Sequence, residues 1–346
     1  TNTLAFLCKD INKLDSMIKE LQNTLDDVVT IEHFDMQHQY SIGTALYPEH
    51  ADSLDTLFRY SLIAADVNNL CSDPWSLFNQ RYQIHHIYQH RLLARLKEDV
   101  RGQQLSFEVQ PQVELSSGRI IGGEVLIRWH NEEMGKIGPD EFIPLAESAG
   151  LIYMVTQMII NKVFTWVAEN RYIVENRHLS INVSAKDMLR NGFANQVINL
   201  SLRHNVSPAC FILEVTESSF FEHNTTVENN IKTLKDAGFR LSIDDFGAGY
   251  SSMHSVMVLS PAEIKIDRMF IQNLHKDETS FTLCKTLVTL ITELGAQTVA
   301  EGVEGQHTIN QLLEWGCQIG QGFGLYRPMT PDSYRELISK NSDLEF

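Results

Sequence analysis

Six short apolar runs in this chain end on, or enclose, side chains that apolar segments ordinarily exclude. Glu124 sits in GGEVLIRW, Asn182 interrupts HLSINVS, and Glu214 and Glu217 belong to FILEVTE. Asp244 and Asp245 close RLSIDD, Lys265 and Asp267 close AEIKID, and Glu301 and Glu304 follow QTVA. A carboxylate inside an apolar strand is costly to bury unless it is paired or bound to a cation. A set of Glu, Asn and Asp offers only oxygen donors, which favours hard divalent ions such as Mg²⁺ or Mn²⁺ over zinc. Two adjacent aspartates, Asp244 and Asp245, could serve two ions, and a two-ion site suits an in-line phosphoryl displacement by steadying both the attacking and the leaving oxygen. Phosphodiester hydrolysis follows as the reaction class. Lys265 is a candidate for holding a nucleophilic water or neutralising developing charge, and Glu301 for general base. Pattern alone leaves the division of roles open.

The spacing states what must position these groups. From Glu124 to Asn182 is 58 residues, then 32 to Glu214, 30 to Asp244, 21 to Lys265 and 36 to Glu301, mostly one βα unit apiece. Beyond residue 105 the apolar runs LSFEVQP, GGEVLIRW, HLSINVS, FILEVTE, RLSIDD, AEIKID, QTVAEG and IGQGFG alternate with helical periodicities. One of these places Val227, Ile231 and Leu234 before Gly238, and another places Cys284, Val288 and Ile291 before Gly295; a glycine just past the periodic residues is a helix stop. Eight strands alternating with helices predict an α/β fold of the TIM-like (β/α)8 class, with an open doubly wound sheet as its competitor. In a parallel barrel the C-terminal strand ends share one mouth, so distant residues gather into one site.

Ahead of the barrel, Ile11, Leu14, Ile18, Leu21 and Leu25 mark an amphipathic helix, and QYSIGTALYP reads as a strand. The cluster NNLCSDPWS at 68–76 is the best boundary signal. The expected organisation is a small α/β unit over 1–75, a linker helix over 76–100 and the barrel over 101–346. Lys plus Arg total 28 against 44 Asp plus Glu, a net charge of −16, which argues against duplex DNA and anionic membranes as partners. Cys8, Cys71, Cys210, Cys284 and Cys317 form no C-x-x-C pair, so neither zinc nor a redox dithiol is indicated and a reducing cytoplasm is expected. No run reaches the ~18 apolar residues of a membrane span. The chain opens on Thr1, and we expect a segment of a longer protein that could carry a sensor or membrane anchor.

Residues from about 105 to 335 resemble the EAL-domain cyclic-di-GMP phosphodiesterases. QPQV at 110–113, EVLIRW at 124–129, PDEFIPLAESAGLI at 139–152, INVS, LEVTE, DDFGAGYSS at 244–252, KID, AEGVE and QG at 321–322 follow in family order. The resemblance implies a TIM-like barrel with an atypical antiparallel first strand that hydrolyses cyclic di-GMP to linear pGpG with Mg²⁺ or Mn²⁺. It implies Glu124, Asn182, Glu214 and Asp244 as ligands of a first ion, Asp245 chiefly of a second, and Glu301 as base or ligand. Lys265 would position the attacking water, and Gln110, Leu126, Arg128 and Gln321 would contact substrate or water, Arg128 through its forked donors. Glu217 resembles the anchor of the loop beginning at Asp244, a loop that also links metal binding to dimerisation; Glu304 is grouped with it. The expected partners are cyclic di-GMP and a second copy of the chain.

Two positions depart from the family pattern: Val125 stands where alanine is usual and Ala248 where threonine is commoner, and either could slow turnover by displacing catalytic groups. Residues 1–75 more faintly resemble the second half of a GGDEF diguanylate cyclase domain, through YSIGTALYP at 40–48 and AAD at 64–66. The glycine-rich nucleotide signature is missing, so a regulatory remnant is expected there. The competing reading of the whole is a catalytically silent module that binds the dinucleotide and signals through dimer or partner contacts. The presence of Glu124, Asn182, Glu214, Asp244, Asp245, Lys265 and Glu301 favours the enzyme. Asp245-Phe246-Gly247 copies a kinase triplet without its companion loops, and His86 and His90 lack the H-E-x-x-H pattern of a zinc helix.

Overall fold

A computed structural model describes residues 3–26, 29–31, 34–36, 40–68, 75–216, 224–247, 253–274 and 276–342. The chain divides into two compact units, Thr1–Ala94 and Arg95–Phe346, so the division falls inside the helix Gln80–Arg101. Within the first unit, the helix Leu54–Asn68 connects two parallel strands, Ile42–Thr44 and Trp75–Leu77. Its small core holds Ile63, Ala64 and Phe78, with Tyr60 stacked on Phe78 at 4.1 Å. The amphipathic N-terminal segment forms a 3₁₀ turn and the helix Leu14–Asp26, with Ile18 buried.

The second unit is a closed eight-stranded barrel. Its strands are β1 (Ser106–Glu114), β2 (Ile120–Asn131), β3 (His178–Val183), β4 (Phe211–Thr216), β5 (Arg240–Phe246), β6 (Glu263–Ile266), β7 (Gln297–Ala300) and β8 (Ile319–Gly320). Strands β2 to β8 run parallel in sequence order, and β1 closes the barrel antiparallel to both β2 and β8. The (β/α)8 expectation holds, and so does the antiparallel first strand. A tight hairpin joins β1 directly to β2, which forces that antiparallel start, since a parallel pair needs a crossover of a dozen or more residues.

Period-two patterning assigns the two faces of each strand. In β3, Leu179, Ile181 and Val183 join the apolar layer, as do Phe211, Leu213 and Val215 in β4 and Ile264 and Ile266 in β6. They pack under helices such as Ile152–Glu169, which buries Ile160, Val163 and Phe164. The alternate positions turn into the barrel: His178, Ser180, Glu214, Ser242, Asp244, Glu263, Lys265 and Thr298 are all buried there. Helices stop where the glycines predict, Thr225–Asp236 before Gly238 at φ +98° and Glu278–Glu293 before Gly295 at φ +76°.

The turn after β8 is held by close backbone approach. Val303 donates its N–H to the Gln321 carbonyl at 3.0 Å, and Gly324 donates to the Val303 carbonyl at 3.0 Å. A Cβ on Gly322 would fall onto the backbone N and O of Val303, and backbone cannot yield as a flexible side chain does. Gly322→Ala is therefore expected to cost ~3 kcal/mol of stability, read as a lowered urea midpoint, and to displace Gln321.

Candidate active site at the barrel mouth

Glu124, Glu214, Asp244 and Lys265 reach the barrel interior because each occupies an inward position of its strand, the last three in the C-terminal half. Register aligns them: Asn182 lies opposite Glu214, Ser242 opposite Glu214, and Gln110 opposite Glu124. At their centre is the Lys265 ammonium. Its Nζ lies 2.7 Å from Glu301, 2.9 Å from Asp244, 3.0 Å from Glu214 and 3.1 Å from Glu124. Lys265 is 1% exposed, so these contacts are made away from bulk water and are strong.

One ammonium facing four carboxylates leaves the cluster short of positive charge, and the carboxyl groups respond. Burial pushes Glu301 up to about 8, with Asp244 and Glu124 adding to the shift and Lys265 opposing it. Burial likewise raises Glu214 well above the carboxylate range despite Lys265. For Glu124 burial is outweighed by Lys265 and by donors from Gln321 and Asn182, so it stays below its ordinary value. Burial works against the charge on Lys265, but the surrounding acids hold its pKa well above that of a free lysine.

Asp244 and Asp245 are consecutive, and in a regular strand they would point to opposite faces. The structure resolves this conflict locally. Asp245 adopts φ +55°, and the pairing of β5 with β6 shifts register between Ile243 and Phe246. The irregularity brings Asp244, Asp245 and Glu301 within 4.8 Å of one another, while Glu124, Glu214 and Asp244 form a second such group. Burial raises Asp245 to about 6, reinforced by Asp244 and Asp267. Glu214 Oε1 is buried with no hydrogen-bond partner among the described residues, an expensive state for a carboxylate oxygen unless it serves a cation. All-oxygen donors, crowded negative charge and an orphaned oxygen together fit a hard divalent ion.

The remaining sequence candidates divide into those near the cluster and those away from it. Asn182 donates to Glu124 Oε1 at 2.7 Å, and Gln321 donates to Glu124 Oε2 at 2.6 Å and to Gln110 Oε1 at 3.2 Å. Leu126 and Arg128 follow Glu124 on the same face of β2 and are half-buried. Arg128 Nε donates to Glu108 at 2.7 Å, so its fork is already oriented by a carboxylate. Glu304 is exposed and accepts from Gln272 at 3.3 Å; among the described residues no hydrogen bond or ion pair joins it to the acidic cluster. Glu217 and Ala248 lie outside the described residues. Val125 is 2% exposed and belongs to the apolar layer, so its extra methyl groups face away from Glu124. Asp267, which the sequence placed in KID without a role, caps the helix Arg268–Asn273 through Met269 N–H at 2.7 Å while its carboxylate meets Asp245.

A sequence profile of the EAL domain matches residues 93–328, well over half of the chain. The chain belongs to the EAL domain family. Among its relatives, the bifunctional diguanylate cyclase/cyclic di-GMP phosphodiesterase MucR of Pseudomonas aeruginosa is 31% identical over 323 residues, covering 91% of this chain and 46% of MucR. The oxygen sensor protein DosP of Escherichia coli is 30% identical, covering 94% of this chain and 41% of DosP. This EAL chain thus spans about half the length, or less, of these relatives. A solved MucR phosphodiesterase in complex with c-di-GMP superposes with a TM-score of 0.66 at 34% identity, covering 70% of this chain and 99% of that one. Among the described residues, no helix of the EAL chain is long and apolar enough to cross a membrane.

Proposed function

We propose that this chain hydrolyses cyclic di-GMP to linear 5'-pGpG with Mg²⁺ or Mn²⁺ bound at the barrel mouth. The observation that carries this reading is the convergence of Glu124, Glu214, Asp244 and Glu301 on Lys265 in a barrel of the EAL family. Relatives named as cyclic di-GMP phosphodiesterases support the substrate. In this reading Glu124, Asn182, Glu214 and Asp244 hold one ion, and Asp244, Asp245 and Glu301 a second. When bound, such ions supply Lewis-acid polarisation of the phosphodiester and offset charge on the entering and leaving oxygens.

The side chains do the rest. Lys265, held protonated, positions the attacking water and offsets charge developing on the phosphoryl group. Glu301, where it is not engaged by an ion, is placed to accept the proton of that water. Arg128 directs its fork to a phosphate, Leu126 contributes an apolar wall, and Gln110 and Gln321 orient Glu124 and the substrate edge. Glu304, through Gln272, steadies the loop after β7, and Glu217 the loop after β5. The same reading includes a homodimer formed through the barrel, a cytoplasmic setting, and a first unit that is a GGDEF-like remnant without cyclase chemistry. The parallel strand-helix-strand unit supports that last assignment.

Incubating the purified chain with cyclic di-GMP and Mg²⁺ or Mn²⁺ should yield pGpG by chromatography. Excess chelator should slow the reaction by ~10³-fold or more, the several kcal/mol that a metal contributes. Folded protein that makes no pGpG with either ion would sink the hydrolase reading.

A further inference from the structure

Below the acidic cluster the hydrogen bonds of Gln321 continue into two buried side chains, Gln112 and His178, that none of the roles above uses. Gln321 Nε2 donates to Glu124 Oε2 at 2.6 Å, and Gln112 Nε2 donates to Gln321 Oε1 at 3.1 Å. The ring nitrogen Nε2 of His178 lies 3.0 Å from Gln112 Oε1. Gln112, His178 and Gln321 are all buried, and Glu263 Oε2, 3.8 Å from His178 Nε2, is a competing acceptor for the ring proton.

The chain has a direction. Glu124 carries a carboxylate that only accepts, so Gln321 must present its NH₂ group to it. The Gln321 carbonyl oxygen must then receive the NH₂ group of Gln112, and the Gln112 oxygen needs a donor in turn. His178 meets this need when a proton sits on Nε2. Burial, with Arg240 adding, lowers the His178 pKa to about 3, so the ring is neutral at physiological pH. Room for the ring is provided by Gly122, whose Cβ would lie 2.8 Å from His178 Nε2.

We infer that His178 and Gln112 are positioning residues that set, through Gln321, the orientation of the Glu124 carboxylate and with it the ion affinity of the site. This inference rests on the proposed role of Glu124 as an ion ligand. Without the His178 proton the Gln112 oxygen loses its donor, and Gln112 no longer holds Gln321 at a fixed position against the Glu124 carboxylate. Outer hydrogen-bond partners of metal ligands typically govern affinity by ~10–100-fold.

The test is Mn²⁺ binding by titration calorimetry on the full chain, with thermal melting as the control for folding. His178→Leu and Gln112→Leu are each expected to weaken Mn²⁺ binding by ~10-fold or more, and the double variant no more than either alone, because one break interrupts the whole chain. His178→Gln, which keeps a donor, should restore binding. Parent-like affinity in His178→Leu would overturn the inference, as would failure of His178→Gln to restore binding despite a parent-like melting temperature, or a parent chain that binds no Mn²⁺. A parent that binds Mn²⁺ but makes no pGpG would sink the hydrolase reading alone and leave the positioning chain standing.

Discussion

Glu124→Ala and Asp244→Ala are each expected to abolish cyclic di-GMP hydrolysis, with turnover down by ~10³-fold or more, while the barrel stays folded. The size follows from the several kcal/mol of charge stabilisation that a metal supplies to phosphoryl transfer. Both residues belong to the group of buried carboxylates whose ligand atoms lie within 4.8 Å of one another. Folding should survive because each substitution removes one negative charge from a cluster with four carboxylates around a single ammonium. Relief of like-charge repulsion offsets the lost ion pair and the cavity. The comparison needs turnover at saturating ion and substrate, with circular dichroism to confirm the fold. Near-parent turnover in either variant would remove that residue from the ligand set.

Lys265→Met should be both inactive and fragile. The ammonium is 1% exposed and touches Glu124, Glu214, Asp244 and Glu301. Removing one partner of a buried ion pair ordinarily costs ~3–5 kcal/mol, because the remaining charge is left uncompensated. For a unit of this size that corresponds to a melting temperature lower by roughly 10 °C, measured in chelator. The deficit should grow as pH rises. Carboxyl groups whose folded pKa is raised, Asp245 to about 6 and Glu301 to about 8, contribute stability at low pH that is lost as pH climbs through those values. Without Lys265 the acids titrate higher still, so the gap between variant and parent is small at pH 5 and large at pH 8. Added Mg²⁺ or Mn²⁺ should recover much of the melting temperature without recovering turnover. A variant that melts like the parent in chelator at pH 8 would show that the cluster does not depend on the lysine charge.

Much of this protein was legible in its one-dimensional pattern. The short apolar runs HLSINV, FILEVT and EIKI meant strands, and their alternation with helical periodicities meant a barrel or an open parallel sheet. Polar residues within those runs meant a site inside that sheet, because such groups are costly to bury without purpose. Those inferences are local: side-chain period and the energetics of burial are properties of short segments.

Tertiary structure decided what depends on closure and register. Pairing of β1 with β8 chose the barrel over the open sheet and brought Gln321 onto Glu124, residues 197 apart in sequence. The left-handed backbone at Asp245 turned two consecutive aspartates toward one cluster, against the alternation that the strand pattern predicts. Gln112 and His178 drew no notice in the sequence, since one polar residue in a strand is ordinary. Only when the barrel closed did they meet Gln321 and leave the solvent together. Composition and periodicity determined that this EAL chain must bury acids and amides at strand ends. Which of them touch Lys265, and which merely hold the others in place, was set by three-dimensional packing, because distances of a few ångströms between distant strands are not encoded by any local repeat.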